Sequence, residues 1–330
     1  MTTNDQTVGV TGAGGFVGGH LVGELTARGY EVIGLDCDPD AEETVRRAGA
    51  EPVIGDVRDR KTVEAVCRRC DSVVHTAALV GEGGAIERYR AVNVRGTRSL
   101  AQAAASSGVD RLLHLSSVMV YGFEYPREVD ESGPLRGEDN PYCTTKIESE
   151  RVVQSVEATS DLEVVIARPG DVWGPGSDPW VVRPLEWMRR HLFVLPDGGR
   201  GRLDPIYVDN LVDALIALLD RGQSGEAYNV TDGRSMQTRE YFGRLAEWLG
   251  REKVPTCPGN WLEVAFGTVE TGFDALGLEP PARRAALNFL TRPHPYSNEK
   301  LTRNIGYTPE VTFEEGLERT ERWARDRGLV

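Results

Sequence analysis

With 330 residues, 40% of them hydrophobic, the chain is long enough for a sizeable core and exceeds one typical domain, so a core domain with a smaller second lobe is expected. A formal charge of −13 provides no basic footprint, which argues against nucleic acid or an anionic membrane as partner and for a small molecule. No basic-then-apolar segment precedes the first predicted strand, and no apolar run approaches the roughly 18 residues of a membrane span, so a cytoplasmic protein is expected.

Val8 and Val10 mark a short first strand, Gly12, Gly15 and Gly18 follow it, and Phe16, Val17, Leu21, Val22 and Leu25 carry helical periodicity. A strand, a glycine turn and a helix N-terminus in series let bare backbone approach a diphosphate, whose charge the helix dipole favours. The second strand, 31–36, ends in Asp36. A carboxylate there accepts hydrogen bonds from both adenosine ribose hydroxyls and repels a 2′-phosphate, so the expected cofactor is NAD. Asp36 also opens an acidic, turn-rich stretch running to Asp40, and a plain turn role is the alternative.

Strands and helices then alternate: a strand at 52–54, a helix near 62–67, a strand at 72–75, a helix near 86–105, a strand at 111–115, a helix at 142–156 and a strand at 162–167. This is the rhythm of an α/β fold, a Rossmann-type doubly wound parallel sheet. Cys67 and Cys70 form a CxxC with no second pair, and the five cysteines are odd in number and scattered, so the pair reads as a helix end rather than a zinc or redox site. Beyond Asp171 the pattern turns irregular, and all six tryptophans lie at or after position 173. The expected organisation is an NAD-binding domain over 1–170 and a smaller C-terminal substrate lobe over 171–330. About 204–231 should return to the core through a strand at 205–208 and a helix at 209–219. The segment 313–327 reads as an amphipathic surface helix.

Tyr142 and Lys146 are expected on one helix face, where the ammonium would favour phenolate and lower the phenol pKa. Their position matters more than their spacing. They follow the strand 111–115, whose carboxyl end carries Ser116-Ser117, and ligands of open α/β sheets bind outside the carboxyl ends of the strands.

In order along the chain, Gly12-x-x-Gly15-x-x-Gly18, Asp36, Gly55-Asp56-Val57, His75-Thr76-Ala77-Ala78, Asn93, Leu115-Ser116-Ser117 with Val120-Tyr121-Gly122, Tyr142-x-x-x-Lys146 and Arg168-Pro169-Gly170-Asp171 resemble the extended short-chain dehydrogenase/reductase superfamily. Ile206-Tyr207-Val208-Asp209-Asn210 and the stretch from Asn298 to Pro309 extend the resemblance over nearly the whole chain. It implies that Gly12, Gly15, Phe16, Val17, Gly18, Asp36 and Pro169 bind NAD, that Asp56 and Val57 border the adenine, and that Ala77 and Ala78 line the cofactor cleft. It implies further that Tyr142 is the acid/base, that Ser117 holds the substrate oxygen, and that Lys146 both holds the nicotinamide ribose and tunes Tyr142. Asn93 would kink its helix and join a proton relay, or else lie on the surface.

Two departures separate branches of the superfamily. Nucleotide-sugar epimerases and dehydratases usually place Asn where this chain has Asp171, against the nucleotide diphosphate, and Arg where it has Leu203, directly before Asp204. The 4,6-dehydratases also need an Asp-Glu pair where Val118-Met119 follow Ser117. A diphosphate facing Asp171 without that Arg would be poorly held, so the chain looks closer to 3β-hydroxysteroid dehydrogenases and related ketone or alcohol oxidoreductases. Arg183, Arg189, Arg190, Arg200 and Arg202 keep a phosphate site open, and a plain ion pair of Asp171 with a neighbouring Arg is the alternative. Trp173, Trp180, Trp187 and Phe193 are expected to divide between core and pocket wall, and His75 and His114 to be packed core residues. The expected function is NAD-dependent interconversion of a secondary alcohol and a ketone by hydride transfer, on a compact, largely apolar or ring-bearing small molecule. An NDP-sugar 4-epimerase is the alternative and a non-catalytic NAD sensor the third reading. No metal is expected, and a homodimer is left open.

Overall fold

The structure, a computed structural model, describes residues 6–330 except 82, 138, 139, 277, 279, 281 and 282. The first half alternates strands with helices, two of them, α4 and α5, between β4 and β5: β1 (Thr7–Thr11), α1 (Phe16–Ala27), β2 (Glu31–Asp36), α2 (Ala41–Arg47), β3 (Glu51–Ile54), α3 (Arg60–Cys67), β4 (Ser72–His75), α4 (Ile86–Tyr89), α5 (Thr97–Ser107), β5 (Arg111–Leu115), α6 (Pro141–Glu157) and β6 (Glu163–Pro169). The second half has shorter pieces: β7 (Asp171–Trp173), α7 (Arg183–Arg189), β8 (Leu195–Pro196), β9 (Arg202–Leu203), β10 (Pro205–Tyr207), α8 (Val208–Arg221), β11 (Ala227–Val230), β12 (Met236–Gln237), α9 (Thr238–Trp248), β13 (Thr256–Cys257), α10 (Gly259–Ala275), α11 (Ala285–Leu290), α12 (Glu299–Ile305) and α13 (Phe313–Asp326).

Seven strands form one parallel sheet in the order β3-β2-β1-β4-β5-β6-β11. The chain runs outward from β1 to β3 and then returns to build from β4 in the other direction. The order therefore reverses between β1 and β4, and the crevice at their carboxyl ends is where such a sheet takes a ligand. Both faces are covered, as the near-continuous apolar strands require. Leu21, Leu25, Leu211, Leu215 and Leu301, from α1, α8 and α12, pack on one face, and Val63, Leu100, Ala104 and Val153, from α3, α5 and α6, on the other. Each such leucine contributes about 1.5–3 kcal/mol by its burial.

The predicted helix near 86–105 is interrupted by a π-helical stretch, Arg90–Gly96, between α4 and α5. The strand predicted at 205–208 ends at Tyr207 and pairs with β7 in a small separate sheet, while the seventh strand of the main sheet is β11. Its four residues include a fully buried Asn229, which breaks the apolar run that would mark a core strand in the sequence. Trp173, Phe193 and Leu203 belong to a third core with Leu185, Tyr241 and Phe242, and Trp180 and Trp187 pack against it. All four aromatics expected to divide between core and pocket wall thus lie in or against this core. Cys67 and Cys70 are buried at and just beyond the end of α3, and burial pushes both thiols up to about 12. Among the described residues no helix is long and apolar enough to cross a membrane.

Candidate active site

The glycine turn joins β1 to α1 at the sheet's reversal point. Gly12 adopts φ +71°, and its N–H donates to the Leu35 carbonyl at 2.8 Å. A Cβ on Gly12 would stand 2.9 Å from the Ala77 backbone, and one on Gly18 only 2.0 Å from the Gly12 carbonyl oxygen. The first turn of α1 can therefore lie directly on the loop. No side chain caps α1 at Gly15, so the N-terminal N–H groups of Phe16, Val17 and Gly18 are left for an anion. This bare cradle fits the diphosphate of NAD. The Phe16 ring meets His20 edge-on at 5.6 Å, and Val17 packs on the first core.

At the end of β2, Asp36 takes the turn role that its acidic stretch suggests. One carboxylate oxygen accepts the Gly14 N–H at 2.8 Å and the other the Asp38 N–H at 3.0 Å, which orients the group and leaves acceptor capacity for ribose hydroxyls. Asp56 accepts the Arg58 N–H at 2.8 Å and pairs with its guanidinium, which holds the carboxyl below its ordinary range. Val57 is buried, close against Gly96.

Beyond β4, Ala77 and Ala78 are half-buried, and the Ala77 N–H donates to Thr11 Oγ1 at 3.3 Å. His75 bridges Thr11 Oγ1 at 2.7 Å and Thr97 Oγ1 at 2.8 Å, and its ring lies 5.4 Å from that of His114. Burial, then the Lys146 charge, pushes His75 down to about 3, so both packed histidines stay neutral. Asn93 is buried within the π-helical stretch, which excludes the surface alternative. Its amide clasps the Leu79 N–H at 2.7 Å and carbonyl at 3.0 Å, and donates to Thr145 Oγ1 on α6 at 3.1 Å. No direct bond to Lys146 is among these contacts, so Asn93 positions the cleft loop against α6.

The Asn140 side chain caps α6 by accepting the Tyr142 and Cys143 N–H groups at 3.0 and 3.1 Å, with Pro141 in the first turn. That cap sets Tyr142 at the helix start and Lys146 one turn on. Ser117, after β5, accepts the Met119 N–H at 3.2 Å in a 3₁₀ turn over Val118–Tyr121, and its side chain acts to lower the pKa of the Tyr142 phenol. Lys146 Nζ donates to the Leu115 carbonyl at 2.7 Å and lies 5.9 Å from the Tyr142 ring centroid. Burial pushes the phenol up to about 12, opposed by the Ser117 hydrogen bond, and pushes Lys146 down to about 8, opposed by Glu150. The expected lowering of the phenol by Lys146 is thus not what the protein alone provides. The ammonium is aimed at Leu115, and the partner that favours phenolate is Ser117.

Behind α6 lies a buried ionic layer. Glu150 takes two hydrogen bonds from Arg168, at 2.9 and 2.7 Å, and one from Ser116 Oγ at 2.5 Å. Arg168 also donates to Tyr121 Oη at 2.8 Å. Pro169, the last residue of β6, is buried and registers with Val230.

Asp171 is paired, but with a residue the sequence reading did not single out. Arg292 Nη2 donates to Asp171 Oδ2 at 2.5 Å, both side chains are buried, and the same oxygen accepts the Asp204 N–H at 2.9 Å. Leu203 is buried in the third core, so an arginine placed there would have to be accommodated among apolar side chains. Phe123 and Phe289, half-buried and edge-to-face at 5.3 Å, were also missed; Phe123 lies just past the Ser117 turn. Arg189 is bound at the Gly328 carbonyl, away from this group.

Asp204 is buried, and burial pushes it up to about 7 against the pull of Arg292. Its ordinary value is 3.8, so it stabilises the fold fully below about pH 4 and loses that contribution as the pH rises through about 7. Asp204→Asn removes this loss. The melting temperature of the variant relative to native protein is expected to be several degrees more favourable at pH 8 than at pH 5, and an unchanged difference in thermal melts contradicts the assignment.

The NAD dependent epimerase/dehydratase family matches residues 8–231. The chain is 30% identical over 314 residues to 4-hydroxy-2-methyl-3-oxo-4-farnesyl-3,4-dihydroquinoline-1-oxide ketoreductase of Stigmatella aurantiaca, covering 94% of each chain. It is 32% identical over 323 residues to 2-alkyl-3-oxoalkanoate reductase of Stenotrophomonas maltophilia, covering 94% of this chain and 97% of that one. Among solved structures, MoeE5 in complex with UDP-glucose and NAD superposes with a TM-score of 0.79 at 25% identity, over 98% of this chain and 100% of that one. The cradle, the parallel sheet and these similarities agree: the chain belongs to the NAD-dependent epimerase/dehydratase family of the extended short-chain dehydrogenase/reductases, and is an NAD-dependent enzyme.

Proposed function

We propose that the enzyme interconverts a secondary alcohol and a ketone on a compact, largely apolar or ring-bearing substrate that is not a nucleotide sugar. The observation that carries this reading is the grouping of Tyr142 and Lys146, 5.9 Å from ring centroid to Nζ, with Ser117 at the carboxyl end of β5. Bound NAD supplies the hydride chemistry. The chain's own residues do the rest. The N–H groups opening α1 would hold the diphosphate, Asp36 the adenosine ribose, and Lys146 the nicotinamide ribose. Ser117 orients the substrate oxygen, and Tyr142 gives that oxygen a proton in reduction or takes one in oxidation. A phenol kept protonated by burial is the form that reduction needs.

Two features support the substrate class. Arg292 is already neutralised by Asp171, and the Phe123–Phe289 pair offers an aromatic wall next to the Ser117 turn. Two relatives of about 30% identity are named for ketone reduction. A panel of hydroxysteroids, cyclic alcohols, the matching ketones and 2-alkyl-3-oxoalkanoates, followed by NADH absorbance, tests the reading. Turnover of a member supports it, and inertness toward all of them together with turnover of UDP-sugars overturns it.

The NDP-sugar 4-epimerase reading is favoured by the similarity to sugar-nucleotide structures, among them MoeE5 with UDP-glucose and a UDP-glucose 4-epimerase with NAD. Calorimetric titration of NAD-saturated protein with UDP and UDP-glucose decides between them, since micromolar binding promotes the epimerase. Cofactor choice follows from Asp36: NAD(H) is expected to bind at least tenfold more tightly than NADP(H), about 1.4 kcal/mol, and Asp36→Ala to erase most of that difference. Equal affinities in native protein contradict the role of Asp36.

A further inference from the structure

The buried ionic layer behind α6 holds both ends of the Ser117 turn. Ser116, directly before Ser117, donates its Oγ–H to Glu150 Oε1 at 2.5 Å, and Tyr121, the last residue of the 3₁₀ turn, accepts from Arg168 Nη1 at 2.8 Å. Glu150 and Arg168 are joined fork to fork, Nε to Oε1 at 2.9 Å and Nη2 to Oε2 at 2.7 Å, and both are buried. The Tyr121 hydroxyl donates its own hydrogen to Asn229 Oδ1 at 2.8 Å, which leaves its acceptor side to Arg168. The backbone does not make this connection by itself: the Ser116 N–H donates to the Ala167 carbonyl at 2.7 Å, which ties the turn to β6 and not to α6. Glu150 lies on α6, about two turns beyond Tyr142 and about one beyond Lys146. The side-chain pair therefore fastens the turn that carries Ser117 to the helix that carries Tyr142 and Lys146.

We propose that Glu150 and Arg168 are positioning residues for the reaction: they act through Ser116 and Tyr121 to hold the Ser117 hydroxyl in place against Tyr142. The inference rests on the role given to Ser117 above and goes further by naming what sets its position. A buried ion pair contributes little net stability compared with apolar side chains of similar volume, so stability is a poor account of this one. Directional bonds to two separate points of one turn are what apolar side chains could not supply. Displacing an orienting group by about 1 Å costs on the order of a hundredfold in rate. Glu150 also acts through its charge. Lys146 precedes it by four residues, both are buried, and the carboxylate favours the ammonium against the effect of burial. The other ionisable groups around Lys146 are Tyr142, His75 and His114, all kept neutral by burial, and Arg168 beyond Glu150.

The test uses full-length enzyme with NADH or NAD and whichever substrate it turns over, a ketone of the panel or a UDP-sugar, and reads kcat, KM, NADH affinity and melting temperature. Ser116→Ala and Tyr121→Phe each release one end of the turn and leave the ion pair closed, since Arg168 keeps Glu150 and the Glu131 carbonyl at 3.2 Å. Each is expected to lower kcat about tenfold, with NADH affinity within about a factor of two of native. In a Ser117→Ala background the same substitutions are expected to cost no more than about twofold, because the hydroxyl that they position is gone. A role in the fold alone would cost the same in both backgrounds. Near-native kcat in both single variants, or equal losses with and without Ser117, overturns this inference alone, whereas near-native kcat in Ser117→Ala overturns the role of Ser117 itself. Glu150→Gln keeps the volume and removes the charge. Lys146 is one of four lysines in the chain, so its Cε resonance can be followed in lysine-labelled protein by carbon NMR. It is expected to titrate about one pH unit lower in Glu150→Gln than in native protein and to be unmoved in Ser116→Ala. An unmoved titration in folded Glu150→Gln overturns the charge effect, and if that variant does not fold the Ser116 and Tyr121 comparisons decide.

Discussion

Tyr142→Phe is expected to lower turnover by about 10²–10⁴-fold while leaving NAD affinity within a factor of a few. The substitution keeps the ring and the helix cap, since Asn140 binds backbone N–H groups, and removes only the hydroxyl. If the hydroxyl moves the proton, kcat falls and KM changes little, the signature of an interaction made chiefly in the transition state. Steady-state kinetics with the preferred ketone, beside equilibrium NAD titration, separates the two effects. Near-native kcat would place the proton transfer elsewhere.

Gly18→Ala is expected to weaken NAD binding by about a hundredfold, near 2.7 kcal/mol, and to lower the melting temperature by several degrees. In an open helix interior the same change normally stabilises by about 0.5–1 kcal/mol. Gly23, in the same helix with nothing near its absent Cβ, provides that reference case. At Gly18 the sign reverses, because a methyl 2.0 Å from the Gly12 carbonyl forces α1 off the turn that would cradle the diphosphate. Fluorescence titration with NADH and thermal melts of both variants check this: Gly23→Ala should bind normally and melt slightly higher. Equal behaviour of the two variants would mean that the close approach of α1 is not what binds the cofactor.

The parts of the molecule that were legible in the sequence are those encoded by local spacing. The glycine turn needs three small residues within seven positions, the carboxylate must end the next strand, and Tyr142 and Lys146 share one helix face because they are one turn apart. These features follow from backbone geometry over a few residues. The Asp171–Arg292 pair does not: its partners are 121 residues apart, and nothing near Arg292 distinguishes it from the other arginines of the C-terminal half. Its place depends on how 290–292 packs across β9, where the Arg202 N–H donates to the Arg292 carbonyl at 2.8 Å. The place of Trp173 was hidden for a related reason. A large aromatic in an irregular segment suits a pocket wall or a lobe core equally, and only tertiary packing, Trp173 against Tyr207 and Tyr241 at 5.1 and 5.9 Å, decides for the core. The direction of Lys146 was hidden too, because spacing puts the ammonium near the phenol but does not show that the Leu115 carbonyl claims it.

Stoichiometry during turnover separates net ketone reduction from epimerisation. Native enzyme is incubated with excess NADH and the ketone that the panel selects, and NADH loss by absorbance is compared with alcohol formed by chromatography. One NADH is expected to be consumed per alcohol formed, with Tyr142→Phe lowering both rates together, and UDP-glucose is expected to remain unconverted with NADH untouched. Conversion of UDP-glucose to its 4-epimer with no net change in NADH, and no ketone reduced, would contradict it.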